Sequence, residues 1–417
     1  MNTKRNIFLW TLYDFANSIV FIVFFLYFAQ WIVIDMGVSD IRFNLAFTLS
    51  ALLLLLTVPL TGVFLDKHWR RITGIRYATI GTAFFYSACA LASVFGYATM
   101  ALIFFTAALF VYLLSFTFYT PLLHDIAPEE LRGRVSGFGI AANYLGQFAG
   151  LALALPFATG VWSIFGASPR AETLLPSVIV FFLFALPMLI WFKEPHKEEM
   201  PVSLRTEAKT LFSKTRELFA YRGVGLFMFS YFFFNDAVLT AANNFPIFLE
   251  QVWHISDATK TYLLIGILVT SALGGIISGF IADRYGHKKT LMIILAGWIV
   301  ILPAVGFVSV WGLFVAITVS MGTWFGANWT VSRAMMADLA PRGKHNLAFA
   351  YFGLVERASS FVGPIVWGLV VSNFTELGSD RYRYAILAVT CFVVFGILAL
   401  RKVSTVHKEK PFDILAA

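Results

Sequence analysis

Apolar runs of roughly 20 residues follow one another along this chain almost without a break, and that is the length a helix needs to cross a hydrocarbon layer. Runs such as 7–34 and 43–65 are apolar on every face, not on alternate residues. This excludes the short two-faced strands of a membrane barrel and predicts an all-α integral membrane protein, because backbone polar groups in lipid must be satisfied within a helix. Only 13% of the 417 residues are charged, against about a quarter in soluble proteins, so water is not the solvent this chain is built for.

The polar breaks define about twelve spans, near 8–34, 43–65, 74–95, 98–123, 134–160, 174–192, 223–250, 260–282, 290–309, 311–337, 346–372 and 383–401. The longest polar stretch, 193–222, separates a first half, 1–192, from a second, 223–401, and a tail, 402–417, follows. Lysine and arginine concentrate in alternate connections: Lys4 and Arg5, then 67–76, 132–134, 193–222, 284–289, 342–344 and 401–410. The other connections hold only Arg42, Arg170, Lys260, Arg381 and Arg383. The positive-inside rule therefore predicts cytoplasmic termini, a cytoplasmic linker and a cytoplasmic tail. The net charge of +8 is thus a topology signal, and nucleic acid is not an expected partner. Cys89 and Cys391 lie far apart inside apolar runs, which suggests neither a disulfide framework nor a metal site. The basic start followed by an apolar run that contains Asp14 and lacks a small-residue cleavage site reads as the first span, not a removable signal.

The two halves repeat each other. Gly62 and Asp66 followed by Arg70 and Arg71 match Gly279 and Asp283 followed by His287 and Lys288. Asp125-Ile126-Ala127-Pro128 matches Asp338-Leu339-Ala340-Pro341, and Phe138-Gly139 matches Phe352-Gly353. Paired halves with a site between them are how many secondary transporters achieve alternating access. The repeated loop has a mechanical reading: glycine permits close helix approach, Asp66 or Asp283 pairs with a neighbouring helix, and cations such as Arg70, Arg71, Arg284 and Lys288 hold the loop on the cytoplasmic side. Such pairs would act as a latch that breaks when the cavity opens inward. Asp125 and Asp338 are placed to cap, or to pair with Arg132, Arg134 or Arg342, as parts of a gate rather than as solute ligands.

An ionisable side chain inside a span costs about 3 kcal/mol or more, so each one is a candidate functional residue. Asp14, Asp236, Arg333, Glu356 and Arg357 fall in spans 1, 7, 10 and 11, whereas the interiors of spans 3, 6, 9 and 12 carry none. Cavity-lining and lipid-facing helices are thereby told apart. Asp14 shares a helical face with Asn17 and Ser18, and Tyr13 precedes it. In span 7, Asn235-Asp236 and then Asn243-Asn244 form a polar stripe. The alternative for the amides is interhelical hydrogen bonding. A lone carboxylate at the midplane such as Asp236 pairs with a cation or takes up a proton. Adjacent residues point about 100° apart, so Glu356 and Arg357 look to different neighbours, and Arg333 either reaches Glu356 or snorkels outward. Three acids stand against two bases, which leaves a carboxylate for proton coupling through Asp14 or Asp236. Trp324 and Trp329 flank Asn328, as packing bulk or as an aromatic wall for a solute.

On these residues the chain resembles the major facilitator superfamily, and within it the branch of fungal autophagy-related vacuolar amino-acid effluxers and their bacterial relatives. The resemblance is carried by Tyr13-Asp14-Phe15-Ala16-Asn17-Ser18, by Phe234-Asn235-Asp236, by Asp125-Ile126-Ala127-Pro128 running to Arg132-Gly133-Arg134-Val135-Ser136-Gly137, and by Ala358-Ser359-Ser360-Phe361-Val362-Gly363-Pro364. It implies two pseudo-symmetric six-helix bundles and efflux of small amino acids. The loop after span 2 departs from the superfamily pattern with Trp69 in place of a glycine, and its copy has His287 at the first basic position.

The expected function is secondary active transport of a small polar or zwitterionic solute, proton-coupled or facilitated, by a monomer in a bacterial inner membrane. No cofactor, metal or catalytic residue is expected, since no phosphate loop, metal cluster or activated nucleophile is present. An exporter of drugs or lipid-like compounds is the first alternative. A non-transporting receptor or assembly factor is the second.

Overall fold

A computed structural model describes residues 3–68, 70–127, 131–194, 213, 218–219, 221–341 and 345–404, without the side chains of 58–68, 124, 132–134, 222 and 345–346. Asp66, Arg132, Arg134 and Arg342, and most of the 193–222 connection, therefore lie wholly or by their side chains outside the described residues.

The apolar runs fold as α1 Thr3–Val23, α2 Asp40–His68, α3 Arg71–Val94, α4 Ala98–Tyr119, α5 Arg132–Ala158, α6 Leu174–Trp191, α7 Arg222–Trp253, α8 Asp257–Tyr285, α9 His287–Phe307, α10 Trp311–Leu339, α11a His345–Ala358, α11b Gly363–Asn373 and α12 Asp380–Arg401. No strand occurs among the described residues. Among the described residues, eleven segments are long and apolar enough to cross a membrane. The twelfth helix, α10, has 29 residues, but its second half carries Asn328, Arg333 and Asp338. Large apolar side chains such as Phe84, Phe280 and Val300 are exposed, which is ordinary for a chain whose solvent is lipid.

Two departures from the sequence-based expectation matter for function. The first span continues past Val23 through two π-helical turns, Phe24–Phe28 and Trp31–Asp35, a local widening that often accompanies functional positions. The eleventh span, expected to be continuous over 346–372, stops at Ala358 and restarts at Gly363. Pro364 sits in the first turn of the restarted helix, where its missing N–H leaves no intrahelical bond unmade.

The chain divides into two compact units, Met1–Pro201 with Ala242–Ile265, and Val202–Ala241 with Gly266–Ala417. In the first, α1 packs on α5 and α6, and α3 on α4. A Cβ at Gly146 of α5 would come 2.3 Å from the carbonyl oxygen of Phe15, so α1 and α5 meet backbone to backbone. In the second, α9 packs on α10 and α12, and a Cβ at Gly326 of α10 would come 1.8 Å from the carbonyl oxygen of Ser271 on α8. Gly286 alone separates α8 from α9, and its φ of 92° lies in a region open to glycine.

Candidate functional site

The break in the eleventh span organises the polar groups of the second unit. Asp236 Oδ2 accepts the backbone N–H of Val362 at 3.1 Å and of Gly363 at 2.7 Å, and Thr240 Oγ1 donates to Oδ1 at 3.4 Å. These N–H groups open α11b and have no partner within the helix, so a fully buried carboxylate is satisfied without a cation. Its neighbour Asn235 ties the other side of the break, its Nδ2 donating to Ser359 Oγ at 2.5 Å and to the Glu356 carbonyl at 3.2 Å. The expectation that Asp236 pairs with a cation or takes up a proton missed this third possibility, because nothing marked the eleventh span as discontinuous.

Further polar groups lie on α10 and α11a. Arg333 Nη2 approaches Glu356 Oε1 at 3.7 Å while the arginine stays about half exposed, at 48%, so it both reaches and snorkels. Arg357 turns back on its own helix and donates to the Gly353 carbonyl at 3.0 Å, rather than only to another helix. Asn328 and Ser332, one turn apart on α10, are both 0% exposed. Both side-chain amide atoms of Asn328, the Ser332 hydroxyl and Asn235 Oδ1 have no hydrogen-bond partner among the described residues. A buried polar group left unsatisfied costs about 1–3 kcal/mol, so these four atoms are an unmet polar demand within the second unit. Trp324 lies over Gly297 of α9, where an added Cβ would come 2.0 Å from its ring, so it packs two helices together.

In the first unit, Tyr13 is fully buried and its hydroxyl shares a 2.7 Å hydrogen bond with Thr79 Oγ1. Asn17 Nδ2 donates back to the Tyr13 carbonyl at 2.8 Å, and Ser18 Oγ to the Asp14 carbonyl at 2.8 Å. Asp14 Oδ1 receives Asn143 Nδ2 of α5 at 3.5 Å, and Asn143 Oδ1 receives Gln147 Nε2 at 2.7 Å. Asn44 and Asn244 exchange reciprocal amide hydrogen bonds of 2.9 and 2.8 Å, both fully buried, and Asn243 is buried beside them.

In the duplicated loops the pairings expected of Asp125 and Asp338 with Arg132, Arg134 or Arg342 fall on side chains outside the described residues, and the described residues add other partners. Asp125 pairs with Arg71 at 2.5 Å, and Arg71 also reaches the Pro121 carbonyl at 3.4 Å. In the second half His287 Nδ1 contacts Asp338 Oδ2, and His287 Nε2 lies 3.5 Å from Asp283 Oδ1. The two pairings are analogous though shifted by one residue in the repeat, since His287 aligns with Arg70: the basic residue that opens α3 or α9 meets the aspartate that follows α4 or closes α10. Each fastens elements within one unit. Lys288 donates to the carbonyls of Arg401 and Val403 at 2.9 and 2.6 Å, while Arg284 lies 5.5 Å from the Tyr285 ring centroid, and Arg70 is exposed.

The largest ionic cluster among the described residues was not expected from the sequence, where Arg170 and Lys260 were read only as topology charges. Arg170, just before α6, reaches Asp35 at 2.6 Å, Glu250 at 2.8 Å and Asp257 at 2.8 Å. Lys260, 0% exposed, bonds Asp257 at 2.8 Å, Gln30 Oε1 at 2.5 Å, and Glu250. Within the first unit this joins the end of the first span and the start of α6 to the end of α7 and the start of α8. Ser168 Oγ adds a bond to Asp35 at 2.9 Å.

Comparison with known proteins adds to this geometry. The profile of the family described as "Vacuole effluxer Atg22 like" matches residues 43–410. The chain is 22% identical over 66% of its length to autophagy-related protein 22 of Yarrowia lipolytica, and spans about half, 51%, of that protein. It is 25% identical to the uncharacterized MFS-type transporter YxiO of Bacillus subtilis, over 94% of this chain and 93% of that one. The fold is similar to the inward-facing, unoccupied crystal structure of a bacterial homologue of the human lysosomal transporter Spinster, with a TM-score of 0.73, 16% identity and 96% of each chain covered.

Proposed function

The chain belongs to the vacuole effluxer Atg22-like family of major facilitator membrane transporters, and on that premise we propose that it exports a small amino acid by proton-coupled alternating access. The observation that carries the reading is the Asp236 carboxylate seated on the opened backbone of the eleventh span. Discontinuous helices are how many secondary transporters build solute and ion sites at the middle of the bilayer. Protonating Asp236 removes the charge that holds the two N–H groups of α11b, so proton uptake and the geometry of the break are coupled. In the second unit the amide of Asn328, the Ser332 hydroxyl and Asn235 Oδ1 fit polar groups of a zwitterion; in the first unit, taken by itself, Asp14 is the candidate proton acceptor.

The cycle then has two kinds of fastening. Arg71–Asp125 and His287–Asp338 brace each half, so that it moves as a body. The Arg170–Lys260 cluster joins residues of both sequence halves, and it opens and closes. The lysine and arginine bias supports cytoplasmic termini, which puts that cluster on the outer face. The near full-length match to a Bacillus protein supports a bacterial plasma membrane, where the chain acts as a monomer of two six-span halves, 1–192 and 223–401.

The test is solute flux in proteoliposomes loaded with a mixed pool of amino acids and organic acids, read by mass spectrometry with and without an imposed pH gradient. Amino-acid movement that follows the gradient, and loses its pH drive in Asp236→Asn, is the expected result. Flux of other solutes only, or gradient-driven flux unchanged in Asp236→Asn, overturns it.

A further inference from the structure

Beside the loop between α8 and α9, a cavity of about 670 Å³ opens between the ends of α9 and α12 in the second unit. Its lining is divided by chemistry. At its rim stand Lys289 and Arg401, both exposed and with no carboxylate partner among the described residues, next to Lys288, which is occupied with the carbonyls of Arg401, the last residue of α12, and of Val403 just past it. The one carboxylate in the lining, Asp338, is held by His287. Farther along α9 and α12 the lining is Ile293 and Ala296, both exposed, and the buried Ile397. On α9, Lys289, Ile293 and Ala296 recur at i, i+4 and i+7, one stripe of about 10 Å that begins with a cation and turns aliphatic. On α12, Arg401 and Ile397 repeat the order one turn apart. Two adjacent membrane helices thus present cations at the interface and hydrocarbon below it.

The first half treats the matching place differently. By the repeat that aligns Asp66 with Asp283, Lys289 corresponds to Ile72. There, Glu194, just past α6, accepts the Ile72 backbone N–H at 3.0 Å, and Arg76 binds the Leu189 carbonyl at 2.7 Å. The chain therefore supplies its own carboxylate in the first half. In the second, the residues that end α12 are Arg401 and Lys402, and the same place is cationic.

We propose that this groove is a binding site for an anionic glycerophospholipid, its phosphate held between Lys289 and Arg401 and its acyl chain laid along Ile293, Ala296 and Ile397. Charge complementarity selects this occupant: cations at the interface favour anionic headgroups, and the apolar wall below favours the chain attached to one. The site stands apart from the solute pathway and does not depend on which solute is carried.

Native mass spectrometry of the purified full chain, with phosphatidylglycerol and phosphatidylcholine of identical acyl chains, tests it. The expected result is preferential retention of phosphatidylglycerol by about tenfold, lost in Lys289→Ala with Arg401→Ala. Ala296→Trp, which fills the groove and leaves both cations, should lose it as well, with all variants matching the parent in size-exclusion profile. Equal retention of the two lipids overturns the proposal, as does a preference that survives both variants. Displacement of the lipid by millimolar inorganic phosphate overturns it too, since the site would then be one for a free anion.

Discussion

Asp236 and Gly363 fit each other as carboxylate and bare backbone. The Gly363 N–H lies 2.7 Å from Asp236 Oδ2, and a Cβ on Gly363 would come within 2.8 Å of Oδ1 of the same carboxylate and 2.3 Å of Thr240 Oγ1. Gly363→Ala must therefore push α11b off Asp236 or move α7, an overpacking strain of about 1–3 kcal/mol. Solute flux should fall about tenfold or more, with a lowered unfolding temperature in detergent. Gly137→Ala, where an added Cβ meets nothing within 4 Å, is the matched control and should leave both unchanged.

Arg170 serves three carboxylates at once through four hydrogen bonds, two of them to Asp257, one more than the three donors of an ammonium can make. Arg170→Ala leaves Asp35, Glu250 and Asp257 with Lys260 as their remaining cation in the cluster, and truncating one partner of such a group costs about 3–5 kcal/mol. The proposed outer face should open more often. Hydrogen exchange in 30–36 and 250–262 should accelerate, and Arg170→Lys should recover only part of the protection. Unchanged exchange in Arg170→Ala would mean that other packing holds these ends together.

The spans could be read from sequence because apolar length and loop charge need no knowledge of distant contacts. Asp236 and Asn235 were marked by charge and polarity within a span, but their task was not, since it depends on a break four residues long in another helix. Ser359-Ser360 followed by Gly363-Pro364 was a usable sign of that break: small polar residues, then a glycine and a helix-starting proline. The Arg170–Lys260 cluster was missed for a different reason. Charges at span ends are inexpensive and common, so Asp35, Glu250 and Asp257 carried no signal until folding brought them to two cations, one of them fully buried.

His287 stands where the first half has a basic Arg, and it lies between Asp338 and Asp283. An arginine there should keep both contacts, so His287→Arg is expected to preserve transport. His287→Ala should reduce it by about two- to fivefold, the scale of a half-exposed pair worth about 1 kcal/mol. Arg71→Ala should do the same from the other half through Asp125. Flux assays on the three variants decide whether the two pairings are interchangeable braces. Loss of activity in His287→Arg would show that histidine has a role beyond pairing.

Asn44 and Asn244 are each the other's side-chain partner in two directions, fully buried, and Asn44 also donates to the Asp40 carbonyl at 2.9 Å. Removing one amide costs the other both hydrogen bonds of the reciprocal pair while it stays enclosed, whereas removing both leaves neither amide. Each of Asn44→Leu and Asn244→Leu should therefore destabilise the chain more than half as much as the pair does together. The coupling energy is expected at about 1–2 kcal/mol, at or above the upper end for polar contacts between membrane helices, because two bonds are made at once. Thermal unfolding of the four proteins in one detergent gives the cycle. Strictly additive shifts would mean that each amide finds other partners, and that this contact does not fix how α2 meets α7.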